Sequence, residues 1–159
     1  LALITDAYSK KIVGFNVSNS LSVVGSLKAL DMALKSRNYQ EQPLIHHSDR
    51  GLLYCSNEYQ ELLNQNGIES SMTEKYDPYE NAVAERINGI LKQEFSIAKY
   101  NMGLKIKKQL IKESIKIYNH ERPHLSNYML TPNQMHQQNK IEMKTYKSKK
   151  LNNDFIVQF

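Results

Sequence analysis

The chain has one cysteine, Cys55, and only four arginines, Arg37, Arg50, Arg86 and Arg122, in 159 residues. A lone thiol excludes an internal disulfide and a multi-cysteine zinc site, and it suits a reducing, cytoplasmic setting. Four scattered arginines do not make the cationic surround that a tyrosine recombinase needs, although ten tyrosines are present. No apolar run is long enough to span a bilayer, so no membrane partner is expected. The chain also lacks an initial Met, a positively charged leader and a small-residue cleavage site, and is read as a fragment cut at its left edge. No internal repeat is visible. What remains is one domain's worth of residues, enough for a real core.

Charge is unevenly placed. Residues 1–98 carry 9 Lys+Arg and 12 Asp+Glu, whereas residues 99–150 carry 12 Lys+Arg and 3 Asp+Glu. A mildly acidic first part joined to a basic second part suits a polyanionic partner, although a solvated helix surface explains the charge alone equally well. The division expected is a core over 1–98, a basic helical part of that core over 99–137, and an irregular basic tail over 138–159.

Hydrophobic patterning predicts strand, strand, helix, strand, helix, strand, helix, helix. "LALIT" and "KIVGFNVS" read as a hairpin around the turn Asp6 to Lys10, with the first run buried on both faces. Ser20 to Arg37 reads as a helix with Leu21, Val24, Leu27, Leu30 and Leu34 as its apolar stripe. Leu44-Ile45 lead a short strand. Ser56 or Asn57 caps a helix ending near Asn66-Gly67, and Ile68 to Thr73 is a further strand. Asp77, Pro78 and Glu80 form a capping-box pattern for a helix continuing through Ala82 to Phe95. A basic helix runs from about Leu104 to Asn119, with Leu110, Ile111, Ile115 and Tyr118 as its apolar side. Thr131-Pro132 opens a short last helix through Met135. This order predicts an α/β layered domain.

Two acids stand out. Asp49 follows the apolar lead-in of "LIHHSDRGLLYCS", where it is either a turn residue or a metal ligand. Glu85 lies on a helix face with Asn81, Asn88 and Lys92, spaced by four, three and four. Alone, each is most simply solvated. As a pair on rigid elements, they suit two-metal phosphoryl transfer, in which oxygen ligands hold hard cations against phosphate.

"IHHSDRGLLYCS", "YDPYENAVAERINGILKQEF", whose Glu85 is separated from Asp49 by thirty-five residues, and "YNHERPHLSNYMLTPNQM" together resemble the integrase-type core of bacterial insertion-sequence DDE transposases, relatives of retroviral integrases. The resemblance covers Leu1 to about Gln137. It implies an RNase H-like fold with a mixed sheet and flanking helices, N-terminally truncated, and DNA cleavage and strand transfer with Mg²⁺ or Mn²⁺. Asp49 and Glu85 match the second and third catalytic acids and metal ligands. Asn81 matches an accompanying polar position. His47 and Ser48 flank the second acid as supporting residues, and Arg50 and Lys92 are placed to meet DNA. The family's first Asp lies on a strand that this chain lacks. Asp6 matches a turn, not that position, so the isolated chain is expected to be inactive. Homo-oligomers on DNA ends are implied as well.

Other readings are weaker. Adjacent strand residues His46 and His47 point to opposite faces and do not share one ion. Cys55 is more simply packing than a nucleophile. Lys105, Lys108, Lys112 and Lys116 fall at three, four and four, a stripe suited to the DNA backbone, and Arg122 is a further DNA-facing candidate. The alternative to a catalytic core is a non-catalytic DNA-binding or assembly remnant of a transposase.

Overall fold

A computed structural model describes residues 1–37, 42–73, 82–97 and 103–137. The elements are β1 (Ala2–Thr5), β2 (Ile12–Asn16), α1 (Val23–Lys35), β3 (Leu44–Ser48), α2 (Asn57–Gln65), β4 (Ile68–Met72), α3 (Ala82–Glu94), α4 (Leu104–His120) and α5 (Pro132–His136), with a 3-10 turn at Leu125–Asn127. The order agrees with the sequence reading. The Asp77, Pro78 and Glu80 capping pattern and the tail over 138–159 lie outside the described residues.

The strands form two ladders. β1 and β2 are antiparallel, and β3 and β4 are parallel. The first ladder is irregular. Ile4 faces Gly14 while Thr5 faces Ile12, which leaves Val13 as an extra residue. Such a bulge reverses the pleat, so Ile12 joins Phe15 and Val17 on one side. Two hydrophobic clusters lie on either side of β1. One gathers Ile12, Val17, Ile87, Ile90, Leu91, Ile111, Ile115 and Tyr118, with Leu3 packed against it. The other gathers Leu30, Tyr59, Leu63 and Ile68, with Ile4 packed against it. Successive strand residues point to opposite faces, so β1 serves both.

α1 differs from its expected form. It begins after Ser22, whose extended backbone ends the approach, so Leu21 precedes the helix and is 92% exposed. Val24 is also exposed. The helix buries Gly25, Ser26, Ala29 and Leu30, so Leu30 is the one leucine of the expected stripe that is fully buried. The reason is proximity to β2. A Cβ on Gly14 would run into the carbonyl oxygen of Ala29 and sit 3.0 Å from the Cβ of Ala33. Only small residues allow that approach, and Leu27, Leu30 and Leu34 turn to the second cluster.

The remaining ends follow local chemistry. Ser56 caps α2 by accepting from the amide of Tyr59, and Gly67 takes the left-handed conformation past its end (φ +62°). Thr131 and Gln134 form a reciprocal capping box at α5, with Pro132 inside the first turn. No helix among the described residues is long and apolar enough to cross a membrane.

Candidate metal and DNA site

β3 and β4 run in register from Leu44 opposite Ile68 to Ser48 opposite Met72. The amide of Thr73 then donates to the carbonyl of Ser48 at 3.2 Å, so the backbone is held right up to Asp49. His47 Nδ1 meets the hydroxyl of Ser71 at 3.1 Å across the same ladder. His46 faces the other way, where its Nε2 meets the hydroxyl of Tyr59 at 3.1 Å and its ring packs against Tyr59 and Tyr54. Burial, and then the neighbouring His47, hold the His46 imidazole below its usual pKa. Burial raises the phenols of Tyr59 and Tyr54 above theirs, with the charge of Asp49 adding to the rise at Tyr54. His46 is thus a neutral wall residue on the opposite side from His47.

Asp49 is exposed at the end of this ladder. Its Oδ1 accepts the amide of Gly51 at 2.9 Å, closing a turn two residues long. It has no ion-pair partner among the described residues. Ser48, just before it, is 6% exposed, and its hydroxyl has no partner among the described residues. Arg50 and Cys55 are exposed.

Glu85 occupies the first turn of α3, where a carboxylate complements the helix dipole. Ile87, Ile90 and Leu91 are buried, and this leaves Glu85 and Lys92 exposed. Asn88 bonds the carbonyl of Ala84 at 3.0 Å, within its own helix. Asn81 lies outside the described residues. On α4, Lys105, Lys108, Lys112 and Lys116 are all exposed, with no ion pair among the described residues.

Asp49 and Glu85 share no hydrogen bond, and no group of three or more His, Cys, Asp or Glu among the described residues forms a metal cage. The donor chemistry nevertheless fits Mg²⁺ or Mn²⁺. Both groups are exposed carboxylates, and hard cations select oxygen.

Asp6 uses its side chain locally. It accepts the amide of Ser9 at 2.9 Å, the hydroxyl of Ser9, and Nδ1 of His136 at 3.2 Å. Arg122 acquires a partner that the sequence reading had not assigned. Its Nε and Nη2 reach the two oxygens of Glu94 at 2.7 and 2.6 Å, a fork that fastens the end of α4 to α3.

The sequence reading missed the residues that tie α4 and the 3-10 turn after it to the hairpin. Asn119 brackets the backbone of Ile12, and the Tyr118 hydroxyl donates to the carbonyl of Lys10 at 2.8 Å. Asn127, fully buried, donates to the carbonyl of Ser9 at 2.6 Å. The available signal was an amide on an apolar stripe, Asn119 following Ile111 and Ile115 at multiples of four.

Comparison with known proteins agrees with this architecture. Two family models, each described as Integrase core domain, match residues 1–78 and 66–132. A 31 kDa protein of insertion element IS600 from Shigella sonnei is 39% identical over 128 residues, covering 78% of this chain and 46% of its own length. A transposase for insertion sequence element IS904 from Lactococcus lactis is 32% identical over 127 residues, covering 78% of this chain and 49% of its own. The chain thus spans about half the length of these relatives. Among solved structures, the BIV integrase catalytic core domain superposes with a TM-score of 0.63 at 16% identity, covering 83% of this chain and 81% of that one. The HTLV-2 integrase catalytic core domain, solved in complex with magnesium, gives 0.62 at 20% identity, covering 83% and 80%. These likenesses show the RNase H-like fold of integrase cores. The chain belongs to the integrase core family found in insertion-sequence transposases.

Proposed function

We propose that this chain carries the second and third acids of a DDE-type catalytic core, within a longer protein that cuts and joins DNA by metal-assisted phosphoryl transfer. The observation that carries the reading is Asp49. It stands at the end of a strand backed by buried aromatics, exposed and without a cation partner among the described residues, in a chain of this family. Asp49 and Glu85 would hold Mg²⁺ or Mn²⁺. Such an ion supplies charge stabilisation at the phosphate and activation of a water or 3′-hydroxyl.

The chain's own residues do the rest. β3 and α3 present the two acids from rigid elements, which limits their reorganisation on binding. His47, paired with Ser71, steadies the strand behind Asp49. Asn81 precedes Ala82 in the sequence, the position that the family resemblance assigns to an accompanying polar residue. Arg50, Lys92 and the α4 lysines offset phosphate charge, giving affinity without sequence choice. Arg122, a DNA-facing candidate in the sequence, has its fork taken by Glu94 and adds little net charge to that face. Assembly of several copies on paired DNA ends, in the cytoplasm, completes the proposal.

The test is strand transfer by the intact protein with Mg²⁺, comparing wild type with Asp49→Asn and Glu85→Gln. Loss of activity in both, with folding unchanged, is expected. Retained activity in both variants removes the assignment.

A further inference from the structure

Gly51 sits where a side chain would collide with the carboxylate of Asp49. A Cβ built there lies 2.8 Å from Asp49 Oδ1 and 3.5 Å from Cδ2 of Tyr54. The backbone offers little room for escape. The carbonyl of Gly51 accepts the amides of Tyr54 at 2.9 Å and Cys55 at 3.2 Å. The wall behind it is firm as well. Tyr54 meets Tyr59 edge to face at 5.4 Å, and its carbonyl accepts the side chain of Gln60 at 2.6 Å. The movable group is therefore the carboxylate itself, which is also the group held by the Gly51 amide.

We propose that Gly51 is a positioning residue for Asp49. Its amide holds Oδ1, and its missing side chain leaves the space that the carboxylate occupies, so that the other oxygen is presented to a divalent cation. This rests on Asp49 being a metal ligand. An added methyl would push Oδ1 off its donor and leave the carboxylate free to rotate. Groups that orient a ligand without touching the metal typically govern about 10–100-fold in metal affinity.

The experiment titrates the full chain with Mn²⁺ and reads bound ion by electron paramagnetic resonance. Wild type is compared with Gly51→Ala, Asp49→Asn and the control Gly89→Ala, a helical position with nothing within 4 Å of an added Cβ. Gly51→Ala is expected to weaken Mn²⁺ binding by about 10-fold or more at unchanged thermal stability, and Gly89→Ala to leave it unaltered. The amide proton resonance at position 51 should move upfield in Gly51→Ala as its hydrogen bond is lost. A second arm guards against misfolding: the melting temperature of Gly51→Ala should match that of wild type, because the carboxylate of Asp49 gives way and not the backbone. If Asp49→Asn abolishes Mn²⁺ binding and Gly51→Ala leaves it intact, the positioning role is wrong and the metal site stands. If Asp49→Asn binds Mn²⁺ as wild type does, the metal reading falls, and this inference falls with it.

Discussion

The side-chain amide of Asn119 brackets the backbone of Ile12, 107 residues earlier. Its Oδ1 accepts the Ile12 amide and its Nδ2 donates to the Ile12 carbonyl, both at 3.0 Å. Both residues are buried, so these two backbone groups have no water to turn to.

Asn119→Ala therefore leaves two buried backbone groups unsatisfied, and a loss of about 3 kcal/mol is expected in chemical denaturation. A loss under about 0.5 kcal/mol, the range typical of neutral surface changes, would show that the hairpin does not depend on this clamp.

Gly14→Ala places a methyl against the backbone oxygen of Ala29, an atom that no side-chain rotation can move. The cost should be about 2 kcal/mol or more. Gly89→Ala, in open space on a helix, should instead stabilise by up to about 1 kcal/mol. Urea midpoints of the two variants, shifted in opposite directions, check the pair.

Burial pushes the carboxyl of Asp6 up, but hydrogen bonds from His136 and from the hydroxyl and amide of Ser9 outweigh it and hold its pKa at about 2, against an ordinary 3.8. The folded value is the lower one, so the stabilisation is present above pH 3.8 and lost as pH falls toward 2. Its size is about 2 kcal/mol. Asp6→Asn should flatten that part of the stability–pH curve, measured by urea midpoint. An unaltered acid limb would mean that the His136–Asp6 contact contributes nothing there.

DNA affinity should separate two kinds of cation. Lys108→Ala and Lys112→Ala each remove an exposed charge and should lower the slope of log K against log salt by about 0.9. Arg122→Ala should leave that slope nearly unchanged, because its fork is taken by Glu94. A wild-type affinity that is flat between low and moderate salt would remove the DNA role of α4. Separately, a double-mutant cycle on Arg122 and Glu94 should give a coupling below about 1 kcal/mol, since Glu94 is 45% exposed.

The order of elements was legible because period and punctuation were strong. Ser56, Gly67 and Thr131-Pro132 mark their helix ends by side-chain and backbone chemistry that acts over a few residues. The buried face of α1 was not legible. Leu21 and Val24 continue a helical stripe on paper, but contact with Gly14 favours small residues and turns that end outward. The candidate acids were visible as residue types in context, whereas the Asn119, Tyr118 and Asn127 anchors were not. Their partners are backbone atoms about a hundred residues away, and no local pattern encodes such a pairing.

β1 is four residues long, yet Leu3 packs with α3 and α4 while Ile4 packs with α1 and α2. The two clusters on either side of it are otherwise built from different helices. Local opening of one would expose a flank of the same strand that the other needs. Amide exchange along β1 should therefore report the weaker of the two halves, and truncating Leu3 or Ile4 should loosen opposite sides of the molecule through a single segment of backbone.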